Sequence, residues 1–421
     1  MILVPFIYFL LLTVYWWIKH RAMDVCVYMS GLYALVSLFA IIIVYGNMLG
    51  EGGILYDEIG LTLGIIPTLL YCAVLTGSIL PFSMLYGKDL KNVYVSMSWL
   101  PLVLGCMLIA VSILNLYLVA DSTLEILQGD LSSVRSDHYA GILSPAEMKA
   151  QSMSAPLRYF YFILNTSTLL ALPLFFYSIC FEHRPWWYNG LLFFASLSVP
   201  IKEMQVADRT EIVFFAMMFI YCLMFFYKFL SKKVKVIFMI MGIPVVAAAL
   251  IYIVAVSQAR FDEREGGAGA GAVQYTGQSY LNFCYFWENA NPDLISAERE
   301  FPLIHHFIYH IDSNPERRVA RSGQQGFFIS VFPSFIGDLM LDLSPIGMIV
   351  WVICYVLLCY QIIQSPHREE LSLGEVLAIF ALAVVPIFGI FYYKYFSYKY
   401  TIMFMLVGLV YVLSKIKFVY K

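Results

Sequence analysis

Charged residues are scarce in this chain. Asp, Glu, Lys and Arg make up 13% of its 421 residues, whereas soluble proteins carry roughly a quarter. Hydrophobic residues make up 61%, more apolar surface than a water-soluble core of this size can bury. The composition therefore predicts a multi-pass membrane protein. The formal net charge of -2 provides no broad basic surface, so nucleic acid is not expected as a partner.

Ordered cysteine spacing is also lacking. The eight cysteines form no CxxC pair, and the chain has no HExxH motif. Seven of them lie in or beside apolar runs, where cysteine usually behaves as a small hydrophobe, and only Cys284 lies in a long polar segment. We expect no disulfide framework, no metal and no cofactor. The first apolar run lacks a basic flank and a cleavage site, which predicts an anchor rather than a cleaved signal peptide.

Long apolar runs are what the chain does have. A membrane-spanning helix needs about 20 mostly apolar residues, and eleven runs approach that length. They lie near 2–18, 25–45, 61–85, 95–119, 158–181, 187–204, 211–230, 236–257, 333–362, 375–393 and 398–414. The pattern predicts an all-α polytopic membrane protein of about eleven transmembrane helices, with residues 1–421 forming one integral membrane domain.

Positive charge is distributed unevenly over the short connections. Those on one side hold nearly twice as many lysines and arginines as those on the other, which predicts that the richer side is cytoplasmic. The N-terminus then lies outside and the C-terminus inside. Two long segments, 120–157 and 259–332, fall outside. Lys394 and Lys399 lie in a short outer connection, where the charge bias disfavours lysine. They are either functional residues or side chains that snorkel to the interface.

Arginine is the residue that stands out on the outer side. The three groups are Asp208-Arg209, Arg260 with Arg264, and Arg317, Arg318 with Arg321. Guanidinium groups bind phosphate oxygens, often with two hydrogen bonds. Three such groups at the membrane surface would suit a lipid-linked diphosphate. The alternative is that they only pair with neighbouring carboxylates.

Histidines and carboxylates near the ninth predicted span are further candidates. His305 and His306 precede it, and no carboxylate falls at a metal-ligand spacing, which leaves a structural role or a general base. Asp338 and Asp342 lie one turn apart at its start. A carboxylate there requires water, a substrate or an arginine partner, and pairing with the arginine clusters is the simplest account.

Two other stretches of the outer segment invite interpretation. The Gly/Ala run 266–272 predicts flexible backbone whose N–H groups can close on an anion. The aromatic-rich stretch from Tyr275 to Trp287 either stacks on sugar rings or forms an interfacial belt.

With these features the chain resembles the Wzy-type polymerases of O-antigen and other oligosaccharide repeat units. The matching features are the number of spans, a dominant outer segment in the second half, an Arg-Thr step that opens a helix in DRTEIVFF, an arginine-to-glycine pair formed by Arg260 and Gly271, and the stretch PSFIGDLMLDLSPIG. The chain departs from the family at Asp342-Leu343-Ser344, where an acidic-aromatic-Gly step is common.

The resemblance implies a metal-independent, GT-C-like glycosyltransferase of the bacterial inner membrane. Its substrate would be an undecaprenyl-diphosphate-linked oligosaccharide, and a chain-length regulator protein is a possible partner besides membrane lipid. Arg209, Arg260, His305, His306 and Asp208 would carry catalysis. The residues expected to bind diphosphate or glycan are Arg264, Arg317, Arg318, Arg321, Tyr275 and Asp338.

Three other functions stay open on sequence grounds. An O-antigen ligase would use the same lipid carrier. A repeat-unit flippase or transporter would normally show internal repeats and charges at mid-membrane. A scaffold without catalytic activity would tolerate substitution of the arginines.

Overall fold

The structure, a computed structural model, describes residues 1–50, 53–57, 63–86, 91–95, 97–128, 145–203, 210–238, 240, 267–291, 297–309, 315–363 and 369–415. These residues are mainly helical. The helices are α1 (Leu3–His20), α2 (Val25–Tyr45), α3 (Ile65–Ile79), α4 (Leu100–Gln128), α5 (Pro145–Gln151), α6 (Ala155–Asn165), α7 (Ala171–Tyr177), α8 (Trp186–Ser196), α9 (Ser198–Glu203), α10 (Thr210–Phe226), α11 (Gly267–Asn289), α12 (Pro302–Tyr309), α13 (Pro315–Gln325), α14 (Ser334–Ile363), α15 (Leu373–Phe388) and α16 (Tyr398–Lys415).

Five described helical segments are long and apolar enough to cross a membrane. They are Leu3–His20, Val25–Tyr45, Ile65–Leu85, Leu100–Val119 and Ser334–Ile363, and the bent pair Ala155–Asn165 with Thr168–Glu182 would make a sixth. The expectation of an all-α membrane protein is confirmed at this level. The count of eleven stays a prediction, since most of the run 236–257 lies outside the described residues.

Two predicted spans are shorter in the structure than the sequence suggests. Helices Thr210–Phe226 and Leu373–Phe388 are apolar but have fewer than 18 residues. The run 187–204 is divided into α8 and α9.

The chain forms two compact units. One comprises Met1–Asp89, Gly269–Glu369 and Ala381–Thr401. In this unit α1 and α2 form a hairpin whose turn is tied by Asp24. One Asp24 oxygen accepts a hydrogen bond from the Val27 N–H at 2.9 Å, which caps α2, and the other lies 2.5 Å from His20 Nδ1. A capping carboxylate satisfies a backbone donor that has no partner within the helix.

Helix α11 corrects the expectation for the outer segment 259–332. Its start, Gly267 to Ala272, is helical rather than flexible backbone, and its later residues are buried in the same unit. Gly277 lies so close to α2 that an added Cβ would be 2.5 Å from the Phe39 carbonyl carbon. The Tyr280 hydroxyl is 2.7 Å from Thr68 Oγ1 of α3. A segment that looks polar in sequence therefore contributes a core helix.

The second unit comprises Leu90–Ala268, Glu370–Phe380 and Ile402–Lys421. A buried polar contact joins α4 to α6, in which Asn115 accepts a hydrogen bond from the Tyr161 hydroxyl at 2.5 Å and donates one to Asn165. Strand β1 (Asn92–Tyr94) pairs in parallel with β2 (Glu370–Ser372), with Asn92 opposite Glu370.

A capping box begins α15 directly after β2. The Ser372 N–H donates to Glu375 at 2.7 Å, and the Glu375 N–H donates to the Ser372 hydroxyl at 3.2 Å. This reciprocal pair satisfies two donors at the start of the helix. Lys415 lies 2.5 Å from the buried Glu375 carboxylate and compensates its charge.

Substituting Gly277 tests the close approach of α11 and α2. We expect Gly277→Ala to lower the free energy of unfolding by about 1–3 kcal/mol, because the new methyl group overlaps the α2 backbone. The measurement is the unfolding transition of the purified protein in detergent. The matched control is Gly269→Ala on the same helix, where nothing lies within 4 Å of an added Cβ. Equal stability of the two variants would contradict the packing described.

Candidate functional site

Helix α14 is broken near its first third. Ser344 has φ 69 and ψ 168, values that no helix residue adopts, and Pro345 follows it. Proline removes a backbone donor and disfavours helical geometry in the residue before it. The Ser344 hydroxyl then accepts a hydrogen bond from the Gly347 N–H at 3.4 Å. Ser344 and Pro345 thus end one half-helix, 334–343, and start a second as N-cap and first residue.

The first half-helix is packed on all sides. Every residue from Ser334 to Asp342 is buried. At its start the Ser334 and Phe335 N–H groups donate to the carbonyls of Phe391 and Gly389, both at 2.9 Å. Gly337 lies against Pro333, so that an added Cβ would be 2.6 Å from the Pro333 Cβ. The stretch PSFIGD therefore has a packing role in which glycine leaves room for the proline ring.

Asp338 and Asp342 lie on one face of this half-helix, and each meets an arginine. Asp338 Oδ1 is 2.6 Å from Arg299 Nη2, and Oδ2 accepts a hydrogen bond from the Tyr393 N–H at 2.8 Å. Asp342 Oδ1 is 2.5 Å from Arg321 Nη1, and Oδ2 accepts one from the Glu300 N–H at 2.6 Å. Each buried carboxylate thus has a cation and a backbone donor, as burial of a charge requires.

The two arginines also bond backbone carbonyls. Arg299 Nη1 donates to the Ile329 carbonyl at 2.8 Å, and Arg321 Nη2 donates to the Leu341 carbonyl at 3.1 Å. Leu341 is in the last turn of the half-helix, where carbonyls lack partners within the helix and a cation is favourable. The Ala297 N–H bonds the neighbouring Asp342 carbonyl at 3.3 Å. Arg321 therefore binds the backbone next to the break as well as the Asp342 carboxylate.

Arg299 and Arg321 attach both ends of the segment between them to α14. We call this segment, residues 300–320, the excursion. The residues between them include α12 and the first part of α13, and both arginines bind carboxylates one turn apart on α14. Residues four apart on a helix have Cβ atoms roughly 5–6 Å apart. The excursion therefore leaves α14 and returns to it at nearly the same point. We call these two ion pairs the clamp.

A third acid is buried beside the clamp. Glu300 is 1% exposed, and its Oε1 lies 3.1 Å from Arg299 Nε. Within the described part of the chain, neither of its carboxylate oxygens accepts a hydrogen bond. Burial and the nearby Asp338 charge raise the pKa of Glu300 well above its usual range. Two guanidinium groups are thus balanced by Asp338 and Asp342, and Glu300 is the acid in excess.

The structure describes some of the predicted site residues and not others. Asp208, Arg209, Arg260 and Arg264 lie outside the described residues. Arg317 and Arg318 belong to α13, but their side chains are not described. His305 and His306 are half-buried on α12, which follows Glu300 directly. Thus His305, His306, Arg317 and Arg318 all belong to the excursion that the clamp holds.

Arg321 and Asp338 differ from their expected roles in diphosphate or glycan binding. Both terminal nitrogens of Arg321 are engaged by protein oxygens, and the residue is 9% exposed. Asp338 is 1% exposed and bound to Arg299. The expectation that both aspartates pair with the arginine clusters holds for Asp342, which meets Arg321, and is wrong for Asp338, whose partner Arg299 belongs to none of the three clusters. In this arrangement Arg321 and Asp338 anchor the backbone rather than present polar groups to a ligand.

Tyr275 belongs to an aromatic cluster in the same unit. Its ring packs edge-on against Phe332 at 5.4 Å, and Phe332 stacks on Tyr392 at 5.6 Å. Lys394 is buried beside this cluster at 4% exposure, with its ammonium 4.4 Å from the Phe388 ring centre. Cation–π contacts of this kind stabilise a desolvated cation. Lys394 is thus held among rings and does not snorkel to an interface.

Sequence reasoning assigned no role to Arg299 or Glu300. The sequence shows two carboxylates at the start of an apolar helix, and these indicate that two cations lie nearby. The segment offers six arginines, and spacing alone does not select the one that reaches Asp338. In the described part of the chain, no group of three or more His, Cys, Asp or Glu side chains is arranged to hold a metal ion.

No protein-family model, characterised protein or solved structure matches this chain.

Replacing Asp342 by Asn tests whether the clamp maintains the fold. We expect the free energy of unfolding to fall by about 3–5 kcal/mol, because the Arg321 charge stays buried without its counter-ion. Chemical unfolding of the detergent-solubilised protein measures the change. The matched control is Glu288→Gln, an exposed acid that accepts a hydrogen bond from Tyr56 at 2.9 Å. This control should change stability by less than about 0.5 kcal/mol. Similar values for the two variants would contradict the anchoring role.

Proposed function

We propose that this protein polymerises lipid-linked oligosaccharide repeat units at the outer face of a bacterial inner membrane. The growing glycan leaves its undecaprenyl diphosphate, and its reducing-end sugar joins a new lipid-linked repeat. The proposal rests on the resemblance to Wzy-type polymerases. The structural observation that supports it is the clamp, because the excursion it fastens to a membrane-type helix contains His305, His306, Arg317 and Arg318.

The chemistry of the step fits these residue types. A hydroxyl oxygen of the acceptor attacks the anomeric carbon of the donor sugar, and the bond to the diphosphate breaks. The diphosphate leaves with the electron pair, and the hydroxyl proton passes to a base. Arg209, Arg260 and Arg264, with Arg317 and Arg318, supply positive charge that stabilises the leaving diphosphate most strongly in the transition state. His305, His306 and Asp208 are the candidate bases.

The role proposed for Arg321 narrows to anchoring. Its charge is already neutralised by Asp342 at 2.5 Å, so it adds little to the field felt by a diphosphate. Tyr275 retains two interpretations, a platform for a sugar ring or a member of the aromatic core around Phe332. Neither role requires a metal ion or a cofactor.

Surface polysaccharide from a strain lacking this chain tests the function. Wild type should restore a ladder of long glycans, whereas Arg260→Ala or Arg209→Ala at normal protein levels should leave core plus one repeat. The reason is that one guanidinium of this kind contributes about 10²–10³ in rate when it stabilises a leaving anion. The measurement is gel electrophoresis of the extracted polysaccharide.

The matched control is Arg158→Ala. This arginine contacts the Tyr159 ring at 5.9 Å and belongs to none of the three clusters. It should support a normal ladder. Complete loss of attached glycan in the deletion strain would favour a ligase or a flippase, and an unchanged ladder with Arg260→Ala and Arg209→Ala would remove the proposed mechanism.

A further inference from the structure

The clamp and the adjacent Glu300 together contain one carboxylate more than the two arginines neutralise. Arg299 and Arg321 face Asp338, Asp342 and Glu300, and all five groups lie within one connected set of contacts. The carboxylates of Asp338 and Asp342 each accept a backbone hydrogen bond and contact a terminal guanidinium nitrogen at 2.6 Å or less. Each aspartate therefore has a backbone donor and a guanidinium nitrogen as direct partners.

Glu300 has fewer direct partners for its carboxylate than these two aspartates have. Its closest cationic atom is Arg299 Nε at 3.1 Å, and within the described residues no backbone N–H donates to its carboxylate, unlike those of Asp338 and Asp342. Asp338 already neutralises that same arginine at shorter range. A second carboxylate on one guanidinium, buried without other donors, favours the neutral acid.

The groups that face Glu300 come from four elements. Arg299 lies in the same turn, Asp338 and Asp342 lie on α14, and Arg321 lies on α13. Tyr393 follows α15 and lies close enough to Glu300 to interact with its charge. With Glu300 neutral, two positive and two negative charges are balanced. With Glu300 ionised, the set carries one uncompensated negative charge away from water.

We propose that Glu300 is a protonation-dependent latch: its neutral form keeps the turn 297–301 packed on α14, and its ionisation releases that turn. The turn is attached through polar contacts that the added charge disturbs. The Glu300 N–H donates to Asp342 at 2.6 Å, and the Ala297 N–H donates to the Asp342 carbonyl at 3.3 Å. Because α12 begins at Pro302, release changes the position of His305 and His306. The latch stands on these contacts whatever reaction the protein catalyses.

The direction of the pH dependence follows from linkage. An acid whose pKa is raised on folding binds more protons in the folded state, so the packed turn loses stability as pH rises. Neutral Glu300 contributes fully to the stability of the packed turn below pH 4.5, the ordinary pKa of glutamate. This contribution declines as the pH rises from 4.5 to the raised pKa. A single ionisation shifts the packing equilibrium by at most tenfold per pH unit.

Cysteine labelling at Glu298 tests the latch in the full-length protein. Glu298→Cys is compared with Glu298→Cys/Glu300→Gln in detergent from about pH 5 to about pH 9, using a polar maleimide and mass spectrometry of the labelled peptide. Intrinsic thiol reactivity changes equally in both proteins, so the ratio of their labelling rates reports on the turn. We expect the ratio to be near one at the lowest pH, to rise by up to tenfold per pH unit between pH 4.5 and the raised pKa of Glu300, and to level off above that pKa.

Two controls make the result decisive. Glu298→Cys/Glu288→Gln removes an exposed acid that pairs with Tyr56 and should reproduce the pH profile of Glu298→Cys. Glu298→Cys/Glu300→Gln should label slowly at every pH, because a neutral amide replaces the neutral acid. A ratio that stays at one over the whole range would overturn the proposal. Fast labelling of the Glu300→Gln protein at every pH would overturn it as well.

Discussion

The described structure of the first unit depends on two carboxylates buried in an apolar helix. Asp338 and Asp342 have 1% and 0% of their surface exposed, and charges so placed are tolerated only with cations and hydrogen-bond donors. Arg299 and Arg321 meet that requirement from residues 39 and 21 positions earlier in the chain. An electrostatic need of one helix thus determines where two distant parts of the polypeptide are fastened.

The same contacts maintain a strained backbone. Ser334 and Ser344 both have left-handed φ angles, 66 and 69, and they bracket the buried half-helix. Each such residue costs on the order of 1–3 kcal/mol and persists only where its surroundings determine its conformation. Arg321 bonds the Leu341 carbonyl and the Asp342 carboxylate just before Ser344. The buried ion pair and the break in α14 therefore occur together, because Arg321 binds both the Asp342 carboxylate and the Leu341 carbonyl.

Hydrophobic composition predicted the helical membrane architecture, and the position of Asp342 in an apolar helix predicted an arginine partner but not which arginine. The sequence did not reveal α11, because its polar stripe of Gln274, Gln278 and Asn282 lowers its hydropathy although all three are buried. Asn282 donates to the Gly53 carbonyl at 3.0 Å, a contact between residues 229 positions apart that no local pattern encodes. Arg299 and Glu300 were missed for the same reason, since partner choice among the arginines is a tertiary property.

Charge balance divides the arginines of the segment into two kinds. The clamp pairs each guanidinium group with one aspartate carboxylate, so it offers little long-range attraction to a diphosphate. Under the proposed function, the positive charge for the leaving group has to come from arginines outside the clamp, and Arg317 and Arg318 belong to the excursion that the clamp holds. A neutral Glu300 adds no charge to the clamp, so the clamp arginines stay paired with their aspartates. An ionised Glu300 would place negative charge beside the excursion and oppose the binding of an anion there, so the state of one buried acid governs both anchoring and local potential.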